Sequence, residues 1–418
     1  MNATAFCISA LLFVAGVCSL PVEMGAQTKI AIINGTVLDP SAAKPDTKAN
    51  VLIDGDKIVA VEADLPIPQD ARIIDATNKY LVPGLWDMHA HLAAMTAIGV
   101  APERYVGFGV LGVRDMGGFA DQLFALRAEI RSGKRVGPDL VLAGLTLNGE
   151  QSAAFHRVVR TDEEARRAVR ELKDAGADFS KIHRRTTREA FFAIADETKK
   201  LGLHFVGHVP LELGWIEASN AGMHTIEHIQ TIFENEESDP KKLASGFADL
   251  VTKLNGAHGD EIWATLVKNH TYFDPTMVAY EENIGKNGPE ITKKRRAAFA
   301  PMKSLVGRAA KAGVSLLAGS DVLEKHGDML LRELELLVEV GLTPQEALAA
   351  ATTTPSAALD RAGPRRIAVD APASLLLVDA DPLSDIKNLR KLSTVVLRGK
   401  VLDAGELARL RALPAPAK

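Results

Sequence analysis

The chain has 418 residues, 47% of them hydrophobic, enough for one large core and a second small one. Its 49 basic and 53 acidic side chains leave a net charge of -4, with both signs interspersed along presumed helices. That balance excludes the basic footprint of a nucleic-acid binder, and the one compact basic run, Lys293-Lys294-Arg295-Arg296, reads as a solvated helix face.

The first stretch stands apart. Phe6 to Leu20 is apolar but too short and too poorly flanked to span a bilayer, and Pro21 and a small-residue region ending Gly25-Ala26-Gln27 follow it. Residues 1–26 are therefore expected to be an export signal, cleaved after Ser19 or Ala26, with a periplasmic or secreted product and no stable membrane insertion. No Lys or Arg precedes Lys29, so an uncleaved N-terminal anchor is the alternative; lipidation at Cys18 is disfavoured by the bulky Val17 before it. Cys7 and Cys18 are the only cysteines. The exported chain would have no disulfide and no thiolate, so a metal site in it must be built from nitrogen and oxygen.

From Lys29 to Ala76 the chain reads as short strands, Ile30–Leu38 and Val51–Val61, with hairpin signals at Asn34-Gly35 and Asp54-Gly55. Similar text returns at Ser374–Asp379 and Ser393–Leu402. Residues 27–80 and 365–418 are thus expected to build one small β-sandwich domain that brackets the middle, residues 81–364.

The middle alternates strand-like and helix-like runs. Tyr80–Leu85 enters through a Pro-Gly turn into Trp86-Asp87-Met88-His89-Ala90-His91-Leu92, in which alternation sends His89 and His91 to one side. Strand-like runs follow at Gly112–Met116, Asp139–Ala143, Asp178–His183, Leu203–His208, Gly222–His228, Tyr272–Thr276 and Val314–Asp321. Helices sit between them, one opened by a capping box from Thr161 to Glu164 and another capped by Thr186 and Glu189. About eight strand–helix units predict an α/β fold of the (β/α)8 TIM-barrel type. An open doubly wound sheet is the alternative, but no Gly-rich phosphate loop follows an early strand.

Five of these strands end in residues able to bind metal: His89 and His91, Lys181, His208, His228, and Asp321. Each has a bland explanation, as a core histidine, an exposed strand end or a helix cap. In a barrel, however, all such ends meet on one face, where active sites form. That convergence favours a metal site.

These residues carry a resemblance to the amidohydrolase superfamily, in particular to the group of imidazolonepropionase-like proteins and Xaa-Pro dipeptidases. The matching stretches are Val82–His91, Lys181, Gly207-His208-Val209-Pro210, Ile226-Glu227-His228 and Ala318-Gly319-Ser320-Asp321, with Leu342–Leu348 and the sheet from Ala373 to Val401. The resemblance implies two divalent ions, one on His89 and His91 and the other on His208 and His228, bridged by Lys181 after it has taken up carbon dioxide as a carbamate. Two such cations roughly 3.5–4 Å apart repel, and a two-oxygen anion between them meets that need where an ammonium would not. It further implies that Asp321 ligates one ion and moves the proton of the attacking water. Zinc is the expected ion from ligand type, although manganese and iron also suit nitrogen and oxygen.

The expected function is hydrolysis of an amide or peptide-like C–N bond in a small molecule, such as an Xaa-Pro dipeptide or an N-acyl amino acid. Alternatives are a cyclic amide or lactone on the same scaffold, or a non-catalytic periplasmic binder; a homo-oligomer is left open. His183, two residues beyond Lys181, stands where many members of the resembled group have tyrosine, and should face the same mouth. Arg114, Arg184 and Arg185 are candidates for a substrate carboxylate, and His326 for the pocket wall. The remaining histidines, including His156, read as structural or surface groups, with His204 and His224 on strand faces shared with the ligands.

Overall fold

The structure, a computed structural model, describes residues 29–44, 46–93, 101–322, 325, 327–360 and 366–414. The expected export segment and His326 lie outside the described residues.

Strands from both ends of the chain join in one eight-stranded sheet, in which Tyr80–Pro83 pairs in parallel with Ile30–Leu38 and antiparallel with Leu375–Val378. Alternation gives this sheet two apolar faces. Leu375 and Leu377 join Ile32, Val51, Ile53 and Leu81 in the small core, while Leu376 and Val378 join the large core of the central region. Asp54-Gly55 forms the expected hairpin, with Asp54 opposite Lys57. Asn34-Gly35 does not: the strand Ile30–Leu38 runs on through it, and the register slips between Ile32 and Gly35. Asn34 supplies the left-handed turn of a bulge (φ 64°), and a Cβ on Gly35 would lie 2.2 Å from Leu81 Cδ1.

In the centre, Leu85–Ala90, Val110–Asp115 and Asp139–Leu142 form one parallel sheet. Thr146–Asn148, Ser180–Ile182, Phe205–Gly207, Thr225–Glu227 and Tyr272–Asp274 lie in another, with His156–Val158 at its edge. Backbone contacts connect the two sheets. Asp178 N donates to Leu142 O (2.8 Å), Phe273 bridges Leu316 in parallel, and Met88 N donates to Ala318 O (2.9 Å). The eight predicted strand positions thus follow one another around a barrel, and the run before Asp321 takes the eighth place through the Leu316 bridge.

Between strands, the helix Asp162–Asp174 starts at the expected capping box of Thr161 and Glu164 and buries Ala165, Ala168, Val169 and Leu172. The next helix, Arg188–Leu201, is capped one residue later than its sequence suggests. Thr187 Oγ1 accepts from Ala190 N, whereas the Thr186 hydroxyl donates back to His183 O. Among the described residues, no helix is long and apolar enough to cross a membrane.

Candidate active site and metal centre

Asp87 ties the first strand of the barrel to the last. Fully buried, it accepts hydrogen bonds from Ser320 N (2.9 Å), Ser320 Oγ (2.6 Å) and His89 N (3.1 Å). Asp321 N then donates to His89 O (2.8 Å). This stitch brings Asp321 Oδ1 to 3.7 Å from His89 Nε2 and 3.6 Å from His91 Nε2. Asp321 and His228 both hold left-handed backbone, at φ 47° and 68°, a strain that non-glycine residues keep only where their surroundings enforce it.

The imidazoles of the strand ends converge. Ring centroids lie 5.4 Å apart for His89 and His91, 4.5 Å for His89 and His228, and 4.5 Å for His208 and His228. Their orientation is set from behind. His91 Nδ1 donates to Gly117 O (2.7 Å), His89 Nδ1 donates to Glu227 Oε2 (2.9 Å), and His228 Nδ1 shares a hydrogen bond with Thr276 Oγ1 (2.8 Å). For His89 and His91, donation from Nδ1 leaves Nε2 as the lone-pair nitrogen facing Asp321, whereas His228 turns Nδ1 to 3.7 Å from Asp321 Oδ2.

Lys181 is 1% exposed, and its side chain crosses Gly207, where a Cβ would lie 2.8 Å from Lys181 Cδ. Burial pulls its amine down to about 8, against the opposing pull of Glu227 and Asp321. Burial also pushes Asp321 up to about 7, with Lys181 opposing. The same desolvation holds His89, His208 and His228 well below the ordinary imidazole range and brings His91 to about 4, so these rings are neutral at pH 7.

The donor set fits divalent cations. His89 Nε2, His208 Nδ1 and Lys181 Nζ are buried polar atoms with no hydrogen-bond partner in the structure, a costly state that a bound ion and its ligands would relieve. His89, His91 and Asp321 place ligand atoms within 4.8 Å of one another. Neutral imidazole nitrogen and carboxylate oxygen are ligands that zinc and similar ions accept.

Arg114, expected as a substrate contact, instead faces the barrel interior. It is 2% exposed and lies inside the barrel, where its guanidinium donates to Met88 O (2.6 Å), Thr225 Oγ1 (2.9 Å) and both oxygens of Glu227 (2.9 and 3.1 Å). Strand alternation turns it inward, and Glu227 compensates its charge. Arg184 sits at the rim, paired with Glu234 at 3.1 Å, and Arg185 pairs with Glu150 at 2.9 Å. His183 does reach the cluster, its ring 4.4 Å from that of His208, and burial lowers it to about 3.

Several neighbours of the site carry no signal in the sequence alone. His156 packs 4.8 Å from His183, and Phe155 stands 6.0 Å from His91. Asp274 is fully buried beside His89 and Glu227 with neither carboxyl oxygen hydrogen-bonded, and Arg114 Nη2 stands 3.6 Å away. Burial, then Glu227, pushes its carboxyl far above the usual range. A Cβ at Gly319 would lie 2.3 Å from Asp274 Oδ2, so only glycine fits there. His204 and His224 lie before their strands, four residues back from the ligand histidines, and stack on each other at 3.6 Å and 12°.

A barrel whose strand ends gather neutral histidines, a buried lysine and an aspartate defines a metal-binding hydrolase of the amidohydrolase type. The sequence model of the amidohydrolase family matches residues 80–402, and the chain belongs to that family, whose members hydrolyse carbon–nitrogen bonds. Among solved structures, a Xaa-Pro dipeptidase with methionine in its active site superposes with a TM-score of 0.73 at 23% identity, covering 90% of this chain and 100% of that one. A putative prolidase from Bifidobacterium longum gives 0.73 at 24% identity (92% and 98%), and molinate hydrolase 0.74 at 19% (94% and 99%). These likenesses speak for the fold. Dihydroorotase of Streptococcus thermophilus (strain CNRZ 1066) is 44% identical over 62 residues, or 15% of this chain, and that of Clostridium acetobutylicum 40% over 62. The match spans only 14% of the length of either dihydroorotase.

Proposed function

We propose that the protein hydrolyses an amide or peptide-like C–N bond of a small molecule with two divalent ions, zinc being the expected metal. The observation that supports this reading most is the convergence of buried, partnerless His89 Nε2, His208 Nδ1 and Lys181 Nζ with Asp321 at one barrel mouth. His89 and His91 would hold one ion, and His208 and His228 the other. Lys181, whose amine burial brings to about 8, is easily deprotonated and would react with carbon dioxide, releasing a proton and gaining a carboxylate that would help hold the ions. When bound, the ions polarise the substrate carbonyl and acidify water.

The remaining steps belong to the chain's own groups. Asp321, pushed to about 7 and within 3.7 Å of both imidazoles of the first strand, takes the proton of the attacking water on a carboxylate oxygen. It then returns that proton to the leaving nitrogen. Glu227 holds His89 in the tautomer that turns Nε2 inward. His183, beside His208, bounds the space for substrate in place of the tyrosine common in the resembled group. Export to the periplasm or beyond completes the proposal and rests on residues 1–26; N-terminal sequencing of protein from fractionated cells tests it.

The deciding experiment is a hydrolysis screen of metal-loaded protein against dipeptides, N-acyl amino acids, cyclic amides and lactones, beside Lys181→Ala. Turnover of an open-chain amide that vanishes in the variant is expected. Reaction of cyclic amides or lactones alone would move the assignment to ring opening, and turnover undiminished in Lys181→Ala would end it.

A further inference from the structure

A cavity of about 720 Å³ opens beside Asp321, within the 300–1,000 Å³ range of small-molecule sites. Its walls come from helices Thr231–Glu236, Pro240–Leu254, Met277–Asn283 and Pro289–Lys311. They present Phe233, Phe247, Tyr280 and Met302, with Phe233 and Phe247 in ring contact at 4.9 Å. The helix Pro240–Leu254 shows why this surface is there. Only Leu254 of it is buried; Leu243 and Phe247 rest on the edge of the large core and are left half-covered toward the cavity.

Two cations share the wall. Lys294 and Arg295 line the cavity on the same helix as Met302, and neither pairs with a carboxylate among the described residues. Arg295 Nη1 donates to the backbone oxygen of Asn283 (2.6 Å), which leaves its charge uncompensated. The acid nearest in kind, Glu234, is already held by Arg184 at 3.1 Å. An apolar chamber with unpaired positive charge on its wall and a carboxylate of the candidate centre at its side suits an amphipathic anion. A small side chain such as that of alanine or proline would leave most of this volume without van der Waals partners.

We propose that the cavity beside Asp321 binds the half of the substrate that carries both a carboxylate and a bulky apolar group, aromatic or branched aliphatic. The carboxylate meets Lys294 and Arg295, and the apolar group lies against Phe233, Phe247, Tyr280 and Met302. The substrate class is then an N-acyl or peptide derivative of a large hydrophobic amino acid. This rests on the amide-hydrolase reading for its chemistry, but not for its binding.

Binding is tested first, on the full metal-loaded chain, by calorimetric titration with 3-phenylpropionate, propionate and 3-phenylpropionamide. The phenyl acid is expected to bind at least about tenfold more tightly than either of the others. The advantage over the amide should fall to near unity in the Lys294→Ala/Arg295→Ala double variant. Ala298→Trp, which fills the cavity, should erase the advantage over propionate; if that variant does not fold, the wild-type comparison decides alone. Turnover follows, with N-acetyl-Phe and N-acetyl-Leu expected to exceed N-acetyl-Ala by about thirtyfold in kcat/KM. Equal affinity for the phenyl and alkyl acids, or none for either, overturns the proposal even if amides are cleaved. Selective binding of 3-phenylpropionate with no amide turned over would leave the pocket standing and remove the hydrolase reading instead.

Discussion

Glu227 Oε2 accepts a hydrogen bond from His89 Nδ1 at 2.9 Å, and the same carboxylate holds both contacts from Arg114 Nη2 at 2.9 and 3.1 Å. One buried acid therefore fixes the tautomer of a candidate ligand and neutralises the arginine beneath it. Replacing Glu227 with glutamine should weaken metal binding by about 10–100-fold, the usual effect of losing a group that orients a ligand histidine. Competition against a chromophoric chelator measures this, with circular dichroism as the control for folding. Unchanged affinity in folded Glu227→Gln would remove the orienting role.

Asp321→Asn keeps the shape of the side chain but not its basicity. A drop in kcat on the order of 10²–10⁴ is expected, with KM changed far less, because general base catalysis contributes about that much. A variant within a fewfold of wild type would show that another group moves the proton.

Carbamate formation needs the neutral amine, and burial places the bare Lys181 amine at about 8. Below that pH most of the amine is protonated and inert, and carbamate formation itself releases a proton, so in metal-free protein uptake of labelled carbon dioxide, at fixed dissolved gas, should rise as pH passes from 6 through 8 and beyond. Carbon-13 NMR reads the carbamate signal directly, and Lys181→Met should show none. A wild-type spectrum without that signal at every pH, in zinc-loaded as well as metal-free protein, would rule out the bridge.

Removal of metal should lower thermal stability as well as activity. An ion present at about 100 times its dissociation constant contributes roughly 2.7 kcal/mol to the folded state, so chelation should reduce Tm by several degrees. Differential scanning calorimetry before and after chelation, with zinc or manganese added back, checks both size and reversibility. Identical curves would mean that these histidines hold no resident ion.

At the opposite end of the ligand-bearing strands, burial and then the stacked His204 lower the His224 imidazole to about 4. An unfolded histidine titrates near 6.5, so below that pH the unfolded chain binds more protons than the folded one. The His224 contribution is complete above about pH 6.5 and is lost as pH falls toward 4, amounting to about 1–2 kcal/mol between pH 7 and 5. Urea denaturation at the two pH values should show wild type losing more stability than His224→Gln. Equal losses would show that this ring is not held neutral.

Much of the site is legible because its signal is local. His89 and His91 alternate on one strand, and His208, His228 and Asp321 each end a strand, so the barrel rule gathers them without any knowledge of packing. What escapes the sequence is pairing over distance. Arg114 looks like a strand-end cation, but its partner Glu227 is 113 residues away, and only the folded chain shows that the two belong to each other. His156 is obscure for a related reason: its strand pairs with nearby Thr146–Asn148, but the ring it meets, that of His183, belongs to a strand beyond the intervening helix Asp162–Asp174. Asn34-Gly35 fails differently, since the dipeptide asks for positive φ and a bulge satisfies that request as well as a turn does.

The sheet shared by the two termini sets an order of events during synthesis. Tyr80–Pro83 has Ile30–Leu38 on one side but finds its other neighbour only in Leu375–Val378, and Lys79 meets Asp379 across 300 positions of sequence. The opening strands must therefore leave the ribosome with an unsatisfied edge and wait, exposed to wrong pairings, until nearly the whole polypeptide has been made. Truncation anywhere before Leu375 should then yield insoluble material, however intact the central segment is.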